Sequence, residues 1–505
     1  MQKQISNRLA WLMISGFLGG GVFLITLSFY FYRSSIIVFL SLFLGYLFHG
    51  LTFSILMLIL SYLGLKQRAK ALLPNKQSSP SKQSSQIPSV TVAIPVFNEV
   101  EVIISCIDSI LKQTLKPYEI IIINDQSTDN TLEKLIKTYQ LQLIKPTFAS
   151  KIETTNIINT YESRSILNLR VIDKEHRGKA DALNAALNIS RGEIFLTIDA
   201  DSFLHSNAIE RLVSVINNDK LVVGAGGTVK AANGISAEIL VSDKGQLPTG
   251  FLPKIQWIEY ATGFVWRFGW GFINTLLLIS GSFAAFRTDV LRKCQGFDPD
   301  SITEDYEMVY RLHQYHLSNK IDYKLVTVSD ALVYTLVPTT IIGLIKQRIR
   351  WFQGFLQTLF RYRSLVLRPS YGVLGIFMLP IKCIDALSPL WSILTYCVLA
   401  HQLIYQVFPL SSSLLIGVVV IRWIIDILMV WILLGMHYRF MIAPLPLKQR
   451  IYLWLISPIY LITNQMLWYI YGIGAYYRAL KGIRRWDKLE RQGFQQLQQS
   501  EDVSL

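Results

Sequence analysis

The chain has 505 residues, is 51% hydrophobic and carries a formal net charge of +15, which is room for one soluble domain plus a membrane portion. That apolar share excludes an ordinary cytosolic globule. Because the cations cluster beside apolar spans and not on a soluble face, the charge argues for membrane topology and against nucleic-acid binding.

Nearly charge-free runs cover residues 9–32, 36–65, 371–410 with interruptions, 411–435 and 451–477. At about 20 apolar residues per bilayer crossing, each predicts a transmembrane helix. The first run lacks the short apolar core and cleavage site of a signal peptide and is expected to be retained. Lys3 and Arg8 precede it, Arg33 separates it from the second run, and Lys66, Arg68, Lys70, Lys76 and Lys82 follow. The positive-inside rule then places the N-terminus and the central region in the cytoplasm. The expected division is residues 1–65, two N-terminal membrane helices; 66–88, a Ser/Gln/Lys/Pro-rich flexible linker; and 89–339, a cytoplasmic domain. Residues 340–368 are expected to form an interfacial amphipathic helix, 369–477 C-terminal transmembrane and interfacial helices, and 478–505 a basic, then polar tail. The four cysteines show neither a CxxC pair nor a metal-ligand spacing, so buried free thiols are expected.

From residue 89 the pattern alternates. SVTVAIP, YEIIIIND, LRVID, EIFLTIDAD and KLVVGAGGTV read as strands; EVEVIISCIDSILKQ, STDNTLEKLIKTY, KADALNAALNIS and NAIERLVSVINN between them read as helices. Such alternation argues for an α/β domain, a mostly parallel sheet covered on both faces. Ligands of these sheets bind at the carboxyl ends of the strands. Asn98 and Glu99, Asp125, the stretch from His176 to Lys179, and Asp199 with Asp201 all fall there. Turn formation alone also favours Asn, Asp and Gly at such positions.

TIDADS sets two carboxylates at i and i+2 at the end of an apolar strand, a hard-oxygen pair suited to Mg2+ or Mn2+. The chain has no GxxxxGK[ST] loop and no GxGxxG after its first strand, so neither a P-loop nucleotidase nor a dinucleotide dehydrogenase is supported. In DPDSITEDYEMVYRL, Glu304 and Asp305 open a predicted helix with Thr303 or Ser301 as cap. The acidic turn suits the helix dipole, and it also suits a general base beside a leaving group. In IKQRIRWFQGF, Gln347, Arg350 and Trp351 share one helical face, leaving Lys346 and Arg348 as expected surface cations.

IPVFNE, NDQSTD, GKADALN, IDADS, GSFAAFR, ITEDYEM and QRIRW, in this order between membrane helices, resemble the family 2 glycosyltransferases of GT-A fold. More narrowly they are similar to the processive membrane synthases of β-linked polysaccharides, the poly-N-acetylglucosamine, cellulose, hyaluronan and chitin synthases. The resemblance implies a GT-A domain, Rossmann-like with a mostly parallel sheet, set between N- and C-terminal transmembrane helices. It implies that Pro95, Asn98 and Glu99 edge a nucleotide pocket, that Asp125 contacts the uridine of a UDP-sugar, and that Lys179 lies near the diphosphate. Asp199 and Asp201 would hold Mg2+ or Mn2+ with the nucleotide sugar. Asp305, with Thr303 and Glu304, would supply the base, and Gln347, Arg350 and Trp351 would bind the diphosphate and the acceptor end of a growing polysaccharide. Ser282 falls where the family places acceptor-side residues. The partners so implied are a UDP-sugar, the polysaccharide, the lipid bilayer and accessory export or regulatory proteins, with no nucleic acid; the location implied is a bacterial inner or plasma membrane.

The sequence departs from that pattern at Asn124, where many members carry Asp, and at Gln126, where glycine is usual. Residues 141–168 are long for a connection. Two helices before the domain and a short tail after it resemble the poly-N-acetylglucosamine or hyaluronan type of layout more than the cellulose type, and within it SGSFAAFRTDVL, ITEDYEM and the helix count are most similar to the former. A cellulose- or hyaluronan-type product, single transfer to a lipid acceptor, and an inactive membrane scaffold are the alternatives. Three C-terminal crossings would set Lys481, Arg484, Arg485, Lys488 and Arg491 outside, against the positive-inside rule. With Pro380, Lys382 and Asp385 interrupting it, the first part of 371–410 is therefore expected at the interface.

Overall fold

The computed structural model of the chain describes residues 32–72, 87–145, 152–240, 245–405, 412–441 and 445–483. The first apolar run up to residue 31, most of the linker, residues 146–151 of the 141–168 stretch and the tail beyond residue 483 lie outside the described residues.

Helix α1 (Tyr32–Leu72) leads to β1 (Val90–Val96), α2 (Ile103–Leu111), β2 (Glu119–Asn124), α3 (Thr131–Tyr139), β3 (Leu141–Ile144), β4 (Ile157–Ser163) and β5 (Leu169–Lys174). Then come α4 (Lys179–Ile189), β6 (Ile194–Ile198), β7 (Ser202–Leu204), α5 (Ala208–Asn218), β8 (Val222–Ala231), a short α6 (Ala237–Leu240) and the long α7 (Phe251–Phe272). The domain closes with β9 (Phe283–Arg287), α8 (Thr288–Lys293), α9 (Glu304–Ser318) and β10 (Lys324–Thr335). Helices α10 (Ile341–Arg361), α11 (Leu379–Tyr405), α12 (Ser412–Phe440) and α13 (Leu447–Lys481) follow.

The strands form one ten-stranded sheet in the order β3-β4-β5-β2-β1-β6-β9-β8-β10-β7. Its centre, β5-β2-β1-β6, is parallel throughout, with Val92 facing Ile120 and Leu196. The runs VTVAIPV and EIIIIN are almost wholly buried, as strands covered on both faces require. Two cores lie on the two faces, one around Ile94, Ile107 and Ile122, the other around Ile121, Leu183 and Phe195. The 141–168 stretch supplies β3 and β4, which pair antiparallel and extend the edge beyond β5.

Helix α7 runs along α1 and across β8 and β10. Its approach to α1 depends on small residues: a Cβ on Gly64 would stand 2.4 Å from Phe268 O, and one on Gly269 would stand 2.7 Å from Ser61 Oγ. Helix α10 starts at a Thr340 cap whose hydroxyl accepts from Gly343 N at 3.1 Å. Its apolar face is covered by α13, where Phe352 meets Trp468 at 5.1 Å and Tyr476 at 5.8 Å between ring centroids.

Among the described residues, Gly50–Lys70, Leu374–Trp391 and Ile416–Phe440 are long and apolar enough to cross a membrane. The second of these includes the start of 371–410, the part expected at the interface. A π turn, Leu374–Met378, runs straight into α11 just ahead of Pro380, which has no N–H to continue the ladder. Lys382 and Asp385, which had argued against a crossing, pair with each other at 2.8 Å, and Lys382 also lies over the Trp270 ring at 4.7 Å.

Candidate active site

The parallel strands deliver their C-terminal ends to one edge of the sheet. Pro95 is the last residue but one of the buried strand β1, and after it Asn98 takes the left-handed conformation (φ 57°), which Asn tolerates better than most residues. Its Oδ1 accepts from Thr128 N at 2.6 Å and Asp129 N at 3.2 Å, and the Glu99 amide donates to Thr131 Oγ1 at 3.0 Å. These bonds stitch the β1 loop to NDQSTD. Within that turn Gln126 occupies the left-handed region (φ 58°), so the turn forms without the usual glycine, at a cost of about 1 kcal/mol.

Asp125 is buried at the end of β2. Its carboxylate receives Lys174 Nζ at 2.7 Å, His176 Nδ1 at 2.8 Å, Arg177 N at 3.2 Å and Gly178 N at 2.8 Å. About four donors fill the acceptor positions of a carboxylate. The geometry therefore ties Asp125 to ordering the 174–178 loop, at the strand end where the nucleotide contact is expected. Lys174 is fully buried and also pairs with Asp181 at 2.8 Å.

That loop aims Lys179, the first residue of α4. Its ammonium lies 2.7 Å from Asp199 Oδ1 and 2.7 Å from Glu304 Oε1. Burial disfavours the charge, but Asp199, Glu304 and Asp305 outweigh it and hold the lysine pKa above its ordinary value. Strand β6 stops at Ile198, so Asp199 and Asp201 sit in the turn before β7 and strand alternation does not align them, contrary to the sequence reading. Asp199 is half-exposed towards Lys179, whereas Asp201 is buried and accepts from Thr335 Oγ1 at 3.4 Å. Among the described residues no three His, Cys, Asp or Glu side chains gather into a self-contained metal cage. Two carboxylates in one turn are the donor set of a hard divalent cation whose remaining positions go to water and a diphosphate, and the residues fit that use.

Glu304 and Asp305 form the first turn of α9. Asp305 Oδ2 accepts from Gly281 N at 2.9 Å and its Oδ1 from Tyr306 N at 2.8 Å. Burial, then the neighbouring Glu304 charge, push its pKa up; Lys179 pulls it back down. Thr303 occupies the cap position but makes no cap bond: its hydroxyl is buried without a hydrogen-bond partner and packs against Gly354 of α10, where an added Cβ would lie 2.2 Å away. Gln357 strengthens this contact between α9 and α10, accepting from Ile302 N and donating to Asp300 O, both at 3.0 Å. Ser282, buried beside Gly281, shares a hydrogen bond with Ser280 at 2.9 Å.

On α10, Gln347, Arg350 and Trp351 are half-buried and Lys346 is exposed. Arg348 is not the expected surface cation. It is 5% exposed and pairs with Glu259 of α7 at 2.7 Å, because α7 covers that side of α10 with the carboxylate. Helix α7 also contributes Arg267, half-buried over the Phe264 ring at 4.0 Å; burial lowers its pKa to about 10, and Asp305 is the foremost charge acting against that. No motif marked Glu259 or Arg267. The available signal was isolated charge within the otherwise apolar WIEYATGFVWRF.

A parallel sheet with an acidic turn after β6, facing a helix whose first turn carries a half-buried carboxylate of raised pKa, defines a GT-A sugar-transfer domain. The chain belongs to the family described as glycosyltransferase like family 2, which matches residues 88–354. Over 284 residues it is 30% identical to a poly-beta-1,6-N-acetyl-D-glucosamine synthase of Staphylococcus epidermidis, covering 55% of this chain and 57% of that one. Over 287 residues it is 29% identical to the synthase of the same name from Staphylococcus aureus (strain COL), covering 56% and 58%. The chain thus spans little more than half the length of the curated relatives it matches. The fold is shared with a mannosyltransferase from Pyrobaculum calidifontis solved in complex with GDP-Man and Mn2+, with a TM-score of 0.50 and 18% identity over 85% of this chain and 99% of that one.

Proposed function

We propose that the protein is an inverting, divalent-metal-dependent transferase that polymerises a β-linked polysaccharide, poly-N-acetylglucosamine from UDP-GlcNAc, and passes it across the membrane through its own helices. The observation that supports the reading is the Lys179 ammonium, which pairs with both the acidic turn after β6 and the first turn of α9, next to the Asp305 carboxylate.

Asp305, kept in register by the Gly281 and Tyr306 amides, takes the proton of an acceptor hydroxyl. The freed oxygen forms a bond to the anomeric carbon as the bond from that carbon to the diphosphate breaks, and UDP departs with the electron pair. One displacement inverts the centre, so an α-linked donor yields a β-linkage. Lys179 and Arg350 meet the charge that develops on the leaving diphosphate. Mg2+ or Mn2+ on Asp199 and Asp201, when bound, supplies Lewis-acid neutralisation of that diphosphate. Asn98 and Glu99 form the edge of the nucleotide pocket, and Gln347 and Trp351 hold the acceptor end.

The test is to supply the purified full chain in vesicles with UDP-GlcNAc, UDP-glucose, UDP-GlcNAc plus UDP-glucuronate, or GDP-mannose, and to determine product mass and linkage. Long β-linked N-acetylglucosamine chains from UDP-GlcNAc alone are expected. Single addition to lipid, or another sugar, would overturn the assignment.

A further inference from the structure

The sequence motif on α10 leaves Arg348 without a role, and the structure ties it to both of its neighbours in the motif and to α7. Its Nη2 donates to Glu259 Oε2 at 2.7 Å, its Nη1 donates to Gln347 Oε1 at 2.7 Å, and its guanidinium carbon lies 4.1 Å from the centre of the Trp351 ring. One planar cation thus fixes both neighbours that the acceptor reading invokes. Gln347 is held by its carbonyl oxygen, which turns its amide hydrogens away from the guanidinium. Trp351 has one face covered by the cation, so only the opposite face is left for a sugar ring.

The arrangement depends on Glu259. Arg348 is 5% exposed, and a guanidinium so buried keeps one orientation only while its charge is met. Glu259 comes from α7, which is anchored against α1, β8 and β10, whereas α7 and α10 otherwise make little contact among the described residues. The ion pair therefore ties together two helices that share few other contacts among the described residues. Arginine suits this work because its rigid fork serves two acceptors while its plane lies on an indole, which an ammonium does not do at once.

Resting on the reading of Gln347 and Trp351 as acceptor-binding, we propose that Glu259 is a positioning residue for the saccharide acceptor, acting through Arg348 to set the amide and the free indole face that hold the chain end. The ligand class is a β-linked amino-sugar oligosaccharide, and the donor side does not depend on the bridge.

The experiment uses the full chain in vesicles and compares wild type, Glu259→Gln, Arg348→Lys and the double variant. Two reactions are followed with UDP-GlcNAc: hydrolysis with water as acceptor, which needs the donor site and Asp305 only, and transfer to a supplied N-acetylglucosamine oligosaccharide. Expected for Glu259→Gln is an acceptor KM raised about tenfold, the scale of one weakened charge-assisted hydrogen bond, with hydrolysis within about threefold of wild type. Arg348→Lys keeps the ion pair but loses the fork and the stacking, so its acceptor KM rises too, and the double variant is no worse than the poorer single one. A purely structural bridge would leave Arg348→Lys like wild type or lower hydrolysis and transfer together, and either result overturns the proposal, as does an unchanged acceptor KM in Glu259→Gln. Wild type inert in both reactions would instead refute the transferase reading, and this inference would fall with it.

Discussion

Replacing Lys179 with Met tests the electrostatics of the site most sharply. A Cβ on Gly281 would lie 2.8 Å from Lys179 Nζ and 3.1 Å from Asp305 Cβ. Asp305 Cβ is therefore within about 6 Å of the ammonium, and at a charge separation of about 6–8 Å Coulomb's law at an effective dielectric of about 20 gives about 2–3 kcal/mol, or about 1.5–2 pH units. Lys179 is partly exposed, so solvent screening reduces the expected shift to about one unit. The sign follows from the charge. Lys179 favours the carboxylate form of Asp305, so removing it raises a pKa that burial and Glu304 already hold high. Asp305 serves as a base only when deprotonated, so the acid limb of the kcat/KM profile moves to higher pH in Lys179→Met. At the plateau, the loss of a cation facing the leaving diphosphate lowers turnover about 100-fold or more. UDP release measured from pH 5 to pH 9 reads both effects. An acid limb that stays in place, or moves to lower pH, would refute the reasoning.

Other consequences are equally concrete. Excess chelator is expected to abolish UDP release, with Mg2+ or Mn2+ restoring it, and Asp201→Asn is expected to raise the metal concentration needed for half activity about tenfold or more. Gly354→Ala forces a methyl to within 2.2 Å of Thr303 Oγ1, so thermal unfolding should show a loss of about 1–3 kcal/mol, relieved by adding Thr303→Ala. Asp125→Asn weakens the charge opposite fully buried Lys174 and loosens the 174–178 loop; a loss of about 3 kcal/mol and a raised donor KM are expected, read by denaturant unfolding and initial rates.

The alternation of strand and helix from residue 90 to residue 231 was legible because buried β-branched runs such as EIIIIN and one-faced helices such as AIERLVSVINN have different periods. The β3–β4 extension was not, since Leu143 and Ile158 are exposed and their strands carry no clear alternation. The insertion of antiparallel β9 between β6 and β8 was equally hidden, because its pairing joins segments some 60 to 90 residues apart. At the site, short motifs marked the strand ends and the first turn of α9. They gave no indication of what each side chain would face. Asp125 looks alike in sequence whether it meets a ligand or four donors of its own chain. The helical period set Gln347, Arg350 and Trp351 on one face of α10, but what buries Arg348 is a glutamate 89 residues earlier. Contacts made at that range are decided by packing and have no local period.

The central claim is that Asp305 is the base of a polymerising sugar transfer. Its most direct test is polymer synthesis from UDP-GlcNAc by wild type and Asp305→Asn in vesicles, with UDP affinity measured on the same samples. The account predicts one UDP released per sugar incorporated by wild type, and a loss of about 1000-fold or more in Asp305→Asn with unchanged UDP affinity. Polymer made by Asp305→Asn at the wild-type rate would contradict it.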